Sequence, residues 1–306
     1  MATDGSAAGA TRPAWLPFAP YVFVLVWSLG FVMAAIGQTS AAPFTLLALR
    51  YLVCLILLAP LVPLLGVAFP TSRRRLAGIA LTGFLIHVVY FGFSYVALYR
   101  GMPVAVITLV LSLQPVATGL LAPLFGGERV GGRLWLGLAL GFAGAAIVIL
   151  SRGEIAPFPL VSVVWVVISL LAFTLATLVD KRMGGGHHPV AANLVQFAIG
   201  ALFCVPIAIA FEGFSFEPTA ALAMAVAYLS LGNSLLALSL LLAMVRYGEA
   251  ARAASLLYLV PLFASIFAWA ILGDPIPPVL WVGMAIALAG VWLAKRAGRP
   301  AAGNAD

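Results

Sequence analysis

An all-α polytopic membrane protein, with ten transmembrane helices arranged as two inverted five-helix repeats, is the fold class that three observations predict. Hydrophobic residues make up 64% of the 306 positions and charged residues 8%, with a mean hydropathy of +1.16. The apolar residues gather into ten runs of membrane-spanning length, and the second half of the chain matches the first at a single shift.

Composition comes first, because it fixes the solvent. Soluble domains carry about 25% charged residues, and a chain this apolar would expose patches in water far beyond what a monomer tolerates. In a bilayer an outward-facing apolar side chain carries no such penalty. The formal charge of +7 and pI near 9.9 do not indicate nucleic acid. Phosphate neutralisation needs a clustered basic face, and the basic residues here sit in short gaps between apolar runs. The expected partner is the lipid bilayer. Cys54 and Cys204 each fall within an apolar run, where they read as small apolar filler. Residues 1–17 are rich in Ala, Gly, Ser and Thr and lack the basic region and cleavage site of a secretory signal. They are expected to be a disordered cytoplasmic N-terminus, with the first helix retained.

A hydrocarbon core of about 30 Å takes about 20 apolar residues. Spans 1 to 5 read as 18–37, 43–66, 76–98, 102–124 and 133–150; spans 6 to 10 read as 159–180, 189–211, 219–244, 250–272 and 278–295. Breaks fall where Pro, Gly or charge gathers, as at Pro70 to Arg75, Gly126 to Arg129, Gly184 to Pro189 and Gly273-Asp274-Pro275. Residues 18–150 form the first repeat, 159–296 the second, and 297–306 a cytoplasmic tail. With the N-terminus in the cytoplasm, the Arg73 to Arg75 run, Arg129, Arg133, Lys181, Arg182, Arg246, Arg252, Lys295 and Arg296 all fall inside, and only Arg100 and Arg152 fall outside. The excess of basic residues in cytoplasmic loops therefore places both termini on the cytoplasmic side of a bacterial inner membrane.

The repeat is read from residues that chance does not easily align. A shift of 146 carries Trp135 onto Trp281, Gly137 onto Gly283, Gly144 onto Gly290, Pro43 onto Pro189, Pro60 onto Pro206, Arg100 onto Arg246, Pro115 onto Pro261, Gly127 onto Gly273 and Glu128 onto Asp274. Five spans per copy is an odd number, so the second copy starts on the opposite side of the membrane. Inverted repeats are a recurrent plan for secondary transporters, because one fold then supplies both an inward-open and an outward-open half-state.

Trp27-Ser28 in span 1, the stretch from Pro43 to Arg50-Tyr51 opening span 2, Leu113-Gln114-Pro115-Val116 in span 4 and Gly127-Glu128 after it resemble the EamA-type branch of the drug/metabolite transporter superfamily. Val260-Pro261 and Gly273-Asp274 echo them in the second half. The resemblance implies a ten-helix monomer with a central cavity for a small-molecule substrate, often in exporters of amino acids or related metabolites, and no cofactor.

Polar residues within a membrane are costly, so mid-span ones are candidates for a substrate site. His87, Tyr90, Phe91, Ser94 and Tyr95 follow i, i+3, i+4, i+7, i+8 spacing in span 3 and are expected on one helical face. The same shift places Asn233 at the position of His87, beside Ser230 and Ser234. His87 either packs between helices or lines the cavity, where imidazole would add a group titrating near neutrality. Spans 4 and 9 contribute Thr108, Ser112, Gln114 and Tyr258, and mid-span prolines at Pro115 and Pro261 that remove a backbone hydrogen bond and are candidate hinges. Trp27, Ser28 and Phe31 in span 1 and Trp165, Ser169, Phe173 and Thr177 in span 6 offer aromatic walls. Arg50 either snorkels to the interface or, turned inward, attracts a carboxylate. Gly137, Gly141, Gly144, Gly283, Ala287 and Gly290 read as close helix packing.

No Asp or Glu stands at the centre of a span, which disfavours a carboxylate proton relay, and no Gly-x-x-x-x-Gly-Lys-Ser/Thr loop is present to bind ATP. His187-His188 lacks the partners of a metal site. An intramembrane enzyme would need a nucleophile with its base or paired carboxylates, and only His87 with Ser94 comes near. The reading is a secondary transporter exporting amino acids, aromatic or hydrophobic ones first, by alternating access. Its alternative is a proton-coupled drug/metabolite antiporter or an importer.

Overall fold

The computed structural model describes residues 14–125, 132–150, 157–183, 188–237, 240, 244 and 259–297. Ten helical stretches stand among them: α1 (Ala19–Gly37), α2 (Pro43–Leu64), α3 (Arg73–Tyr99), α4 (Val104–Leu121), α5 (Gly132–Leu150), α6 (Val161–Met183), α7 (Pro189–Glu212), α8 (Ala220–Leu236), α9 (Val260–Leu272) and α10 (Pro278–Ala297). Six of them, α1 to α4, α6 and α7, are long and apolar enough by themselves to cross a membrane. The extended backbone pairing among the described residues is a single antiparallel bridge, Ala41 to Phe216.

Proline starts many of these helices. Pro20, Pro43, Pro189 and Pro261 occupy the first turn of α1, α2, α7 and α9, where the missing N–H has no acceptor to lose and the fixed φ suits the helix. Gly213 ends α7 and Gly273 ends α9, both left-handed with φ of 67° and 76°, a conformation that a Cβ disfavours.

Packing reveals the symmetry. α5 and α10 are the most closely joined pair, and a Cβ on Gly144 would collide with the Gly283 carbonyl and Ala287. A Cβ on Gly290 would collide with the Gly137 carbonyl and the Gly141 nitrogen. These two contacts exchange under the 146-residue shift, and residue numbers rise along one helix as they fall along the other. The helices are therefore antiparallel about a two-fold axis lying across them, in the plane of the membrane. The same operation relates the other contacts: α1 packs on α8 and α9 as α6 packs on α3 and α4, and α2 meets α8 as α7 meets α3. Tyr51 of α2 stacks at 5.9 Å on Phe197 of α7, its own repeat mate. Both copies also contain a π-helical stretch in matching places, Phe84–Tyr90 within α3 and Tyr228–Leu236 within α8.

The proline of α4 differs from expectation. α4 is two pieces, Val104–Leu111 and Gln114–Leu121, joined through Ser112 and Leu113. Pro115 lies in the first turn of the second piece and so interrupts no continuous helix; Pro261 lies in the first turn of α9 as described, and residues 245–258 lie outside the described residues. α4 breaks one turn before Pro115, whose missing N–H leaves the Leu111 carbonyl without its i+4 donor.

Candidate functional site

A cavity of about 340 Å³ lies where α1, α3, α4, α6 and α9 converge, walled by Trp27, Phe31, Tyr90, Thr108, Leu111, Ser112, Gln114, Pro115, Thr118, Phe173, Thr177, Val260 and Pro261. Its volume falls within the range of about 300–1,000 Å³ usual for small-molecule sites. Four pairs in that wall are repeat mates: Trp27 with Phe173, Phe31 with Thr177, Gln114 with Val260, and Pro115 with Pro261. The cavity therefore sits on the pseudo-two-fold axis, the one place that both halves present to a ligand equally.

The two copies have diverged in chemistry around that axis. On one side Gln114 Nε2 donates to Thr118 Oγ1 at 2.9 Å and to Thr177 Oγ1 at 3.2 Å, a polar strip near the ends of α4 and α6. The facing side is Trp27, Phe31 and Val260. Tyr90 stacks on Phe173 at 4.8 Å with 25° between the rings, closing the wall with flat aromatic surface. Such a site accepts a molecule with an apolar body and a polar end.

Lengthwise the cavity is one-sided. From the middle of α1 and α3 it runs toward Thr118 and Thr177, at the end of the bundle that carries Arg73 to Arg75 and Arg182. The opposite end is tied shut. Ser40 Oγ and Thr219 Oγ1 are 2.8 Å apart, and Glu217 N donates to Ser40 O at 2.8 Å. The Glu212 carboxylate at the end of α7 accepts from Phe44 N at 3.0 Å, Thr45 N at 2.7 Å and Thr45 Oγ1 at 2.8 Å, capping the N-terminus of α2. Asp274, just past α9, meets the Val104 backbone N–H at the start of α4, and half-burial there raises its carboxyl above the ordinary range.

Of the residues expected at the site, Trp27, Phe31, Tyr90, Thr108, Ser112, Gln114, Pro115, Phe173, Thr177 and Pro261 line the cavity. Phe91 and Asn233 border a crevice beside it that is too tight to hold a water molecule and shares Trp27, Phe31 and Tyr90 with it. Four others lie in helix contacts. His87 packs among Tyr51 at 4.9 Å, Phe197 at 4.8 Å and Phe91 at 6.1 Å, between α3, α2 and α7. Ser94 donates to Tyr90 O and approaches Ser169 Oγ at 3.4 Å, and Ser169 donates to Trp165 O at 3.0 Å. Trp165 lies near the far end, with the Arg100 guanidinium 6.0 Å from its ring. Tyr258 falls outside the described residues.

Of the face expected from i, i+3, i+4 spacing, Tyr90, Phe91 and Tyr95 border one crevice, while His87 falls off it, because the π turn of Phe84–Tyr90 is wider than an α turn. Residues three apart diverge around it, sending His87 toward α7 while Tyr90 meets the cavity. Thr118 completes the polar strip without any sequence signal to single it out. No three His, Cys, Asp or Glu side chains gather among the described residues.

Both halves of the chain match the EamA-like transporter family, at residues 16–150 and 160–296. The chain belongs to that family. Its relatives include the inner membrane transporter YedA of Escherichia coli strain K12, 25% identical over 266 residues, covering 87% of this chain and 86% of that one. A probable terminal-alkyne amino-acid exporter of Streptantibioticus cattleyicolor is 29% identical over 284 residues, covering 89% and 91%. A probable amino-acid metabolite efflux pump of Escherichia coli strain K12 is 30% identical over 132 residues, 41% of this chain and 40% of that one. A crystal structure at 19% identity superposes with a TM-score of 0.66, covering 94% of this chain and all of the other, and shows the shared fold. This EamA-type chain is thus a membrane transporter and not an enzyme.

Proposed function

We propose that the protein exports amino acids or related small metabolites, aromatic or hydrophobic ones first, across the bacterial inner membrane by alternating access. The observation that carries the reading is the cavity on the pseudo-two-fold axis, aromatic on one side and polar on the other, closed at one end and extended toward the end with the basic loops. Positive residues favour the cytoplasmic side, so this conformation faces inward and both termini lie in the cytoplasm. Swapping the conformations of the two repeats then yields the outward-facing state. Two relatives named for amino-acid or amino-acid metabolite efflux support the substrate class. The four acidic residues described, Asp180, Glu212, Glu217 and Asp274, stand at helix ends or in the connections between helices, which favours transport down the substrate's own gradient over a carboxylate proton relay. One chain supplies both halves of the site, so the monomer is the working unit.

Counterflow in proteoliposomes, with each labelled amino acid in turn and with or without a pH gradient, tests this. Exchange of a few apolar amino acids independent of the pH gradient is expected. Exchange that requires the gradient would favour the antiporter reading, and no exchange of any amino acid would remove amino acids as substrates.

A further inference from the structure

The polar side of the 340 Å³ cavity is characterised by where its protons go. Thr177 gives its one hydroxyl proton to Phe173 O at 2.8 Å, so its oxygen can only accept from Gln114. That fixes the Gln114 amide with its nitrogen toward Thr177. Both N–H groups of the amide are then spent, on Thr177 Oγ1 at 3.2 Å and on Thr118 Oγ1 at 2.9 Å, and Gln114 Oε1 is left as an acceptor without a donor among the described residues. Two hydroxyls of the same wall repeat the pattern. Ser112 Oγ donates to Leu109 O at 2.6 Å and Thr108 Oγ1 to Val104 O at 2.9 Å, so each oxygen has only lone pairs left to offer. Leu111, also in the wall, has the carbonyl whose i+4 donor is missing at Pro115.

An anion is offered much less. The start of the second piece of α4 makes no cradle of N–H groups: Pro115 has none, and Val116 and Ala117 give theirs to Leu113 O at 3.0 Å and 2.9 Å. No Lys or Arg stands among the described residues of the wall. Arg50, buried in α2, donates to Ser234 Oγ at 3.0 Å and to Tyr95 Oη at 3.3 Å, and lies outside it. What is left for a carboxylate is neutral: the Thr118 hydroxyl, and the indole N–H of Trp27 and the phenol of Tyr90. An unpaired carboxylate inside a membrane is costly, whereas an ammonium here meets acceptors and aromatic rings, whose faces attract cations.

We infer that the polar side of the cavity is an ammonium subsite: Gln114 Oε1, the Leu111 carbonyl and the Ser112 hydroxyl are the acceptors for a protonated primary amine, and the apolar body of the substrate lies among Trp27, Phe31, Tyr90 and Phe173. The inference rests on the reading of the cavity as a substrate site and deepens it. The amine is the group that the protein selects, and the carboxylate of an amino acid is carried without being recognised.

The test is ligand binding to the purified full chain at neutral pH, read by thermal stabilisation and tryptophan fluorescence, with compounds that share a body and differ in the head. L-phenylalanine, phenethylamine, its N,N,N-trimethyl derivative and 3-phenylpropionate form one set, with an aliphatic set alongside. L-phenylalanine and phenethylamine are expected to bind at least about tenfold more tightly than 3-phenylpropionate, in keeping with hydrogen bonds to a charge. The trimethyl derivative, which has no N–H to donate, is expected to bind more weakly than phenethylamine. Gln114→Leu is expected to erase the preference for amine over carboxylate, and Gln114→Glu, which keeps the acceptor and adds charge, to widen it. A purely structural role of Gln114 would weaken every compound alike in both variants. Equal binding of 3-phenylpropionate and phenethylamine by the wild type, equal binding of the primary and trimethyl amines, or an unchanged preference in Gln114→Leu would overturn the subsite, and the cavity would stand as a substrate site wherever L-phenylalanine still binds. Binding of phenethylamine without L-phenylalanine would leave the subsite standing and remove amino acids as the substrate, and binding of no compound of either set would overturn both.

Discussion

Trp27 and Phe173 occupy equivalent positions in the two repeats and face one cavity, so the difference between them is a difference between the two sides of the bound molecule. Truncating a buried aromatic side chain forfeits several kcal/mol of contact. Trp27→Ala and Phe173→Ala are accordingly each expected to weaken binding of an aromatic substrate by about tenfold or more, measured by the same stabilisation assay. His87 gives the opposite expectation. Surrounded by Tyr51, Phe197 and Phe91, it fills a helix junction, so His87→Ala is expected to lower the melting temperature and leave substrate affinity unchanged. Reduced affinity at unchanged melting temperature would bring the imidazole back to the cavity. Asp274 adds a pH dependence. Its folded pKa is raised by burial, so the stability it contributes is present below the unfolded value and lost as pH rises through the folded one. Asp274→Asn keeps an oxygen for the Val104 N–H without the buried charge, and is expected to flatten melting temperature against pH across that acidic window.

At the level of elements, the sequence conveys helices well and their internal breaks poorly. Runs of apolar residues bounded by Pro70 to Arg75 or by Gly273-Asp274-Pro275 mark spans because a bilayer imposes a length, and all ten stretches appear where those runs lie. Pro115 announces a break without locating it, and nothing in Phe84 to Tyr90 announces a π turn, since wide turns depend on packing with neighbouring helices rather than on local preference. That turn decides which of His87 and Tyr90 meets the cavity, so the spacing in span 3 named candidate residues without fixing which of them would face it. The break in α4 also makes an expectation about motion. Ser112 and Leu113 join two pieces that both touch the cavity, and Pro115→Ala restores the donor that would let one helix run through. The substitution is expected to retain binding and to slow exchange by about tenfold, the equivalent of some 1.4 kcal/mol on the barrier. Exchange at the wild-type rate would make the break a static feature of packing.

Across the whole molecule the pseudo-two-fold axis relates a closed end to an open one, so the symmetry of the sequence is broken by the conformation. The closure consists of a few contacts between the α1–α2 turn and the segment from Glu212 to Thr219: the Ser40 and Thr219 hydroxyls, the Glu217 N–H on Ser40 O, the Ala41 bridge to Phe216 and the Glu212 cap on α2. Each joins the first repeat to the second, and each must part for the cavity to open on that side. Hydroxyl oxygens 2.8 Å apart place positions 40 and 219 close enough for paired cysteines to bond, given that a disulfide tolerates Cα separations of about 4.4–6.8 Å. With Cys54 and Cys204 replaced, Ser40→Cys with Thr219→Cys is expected to transport normally when reduced, to stop when oxidised, and to recover on reduction. The oxidised protein is expected to keep its affinity for substrate offered from the face that carries Arg73 to Arg75. Continued exchange across the membrane with the bond formed would show that this end does not gate, and the cycle would then have to open elsewhere.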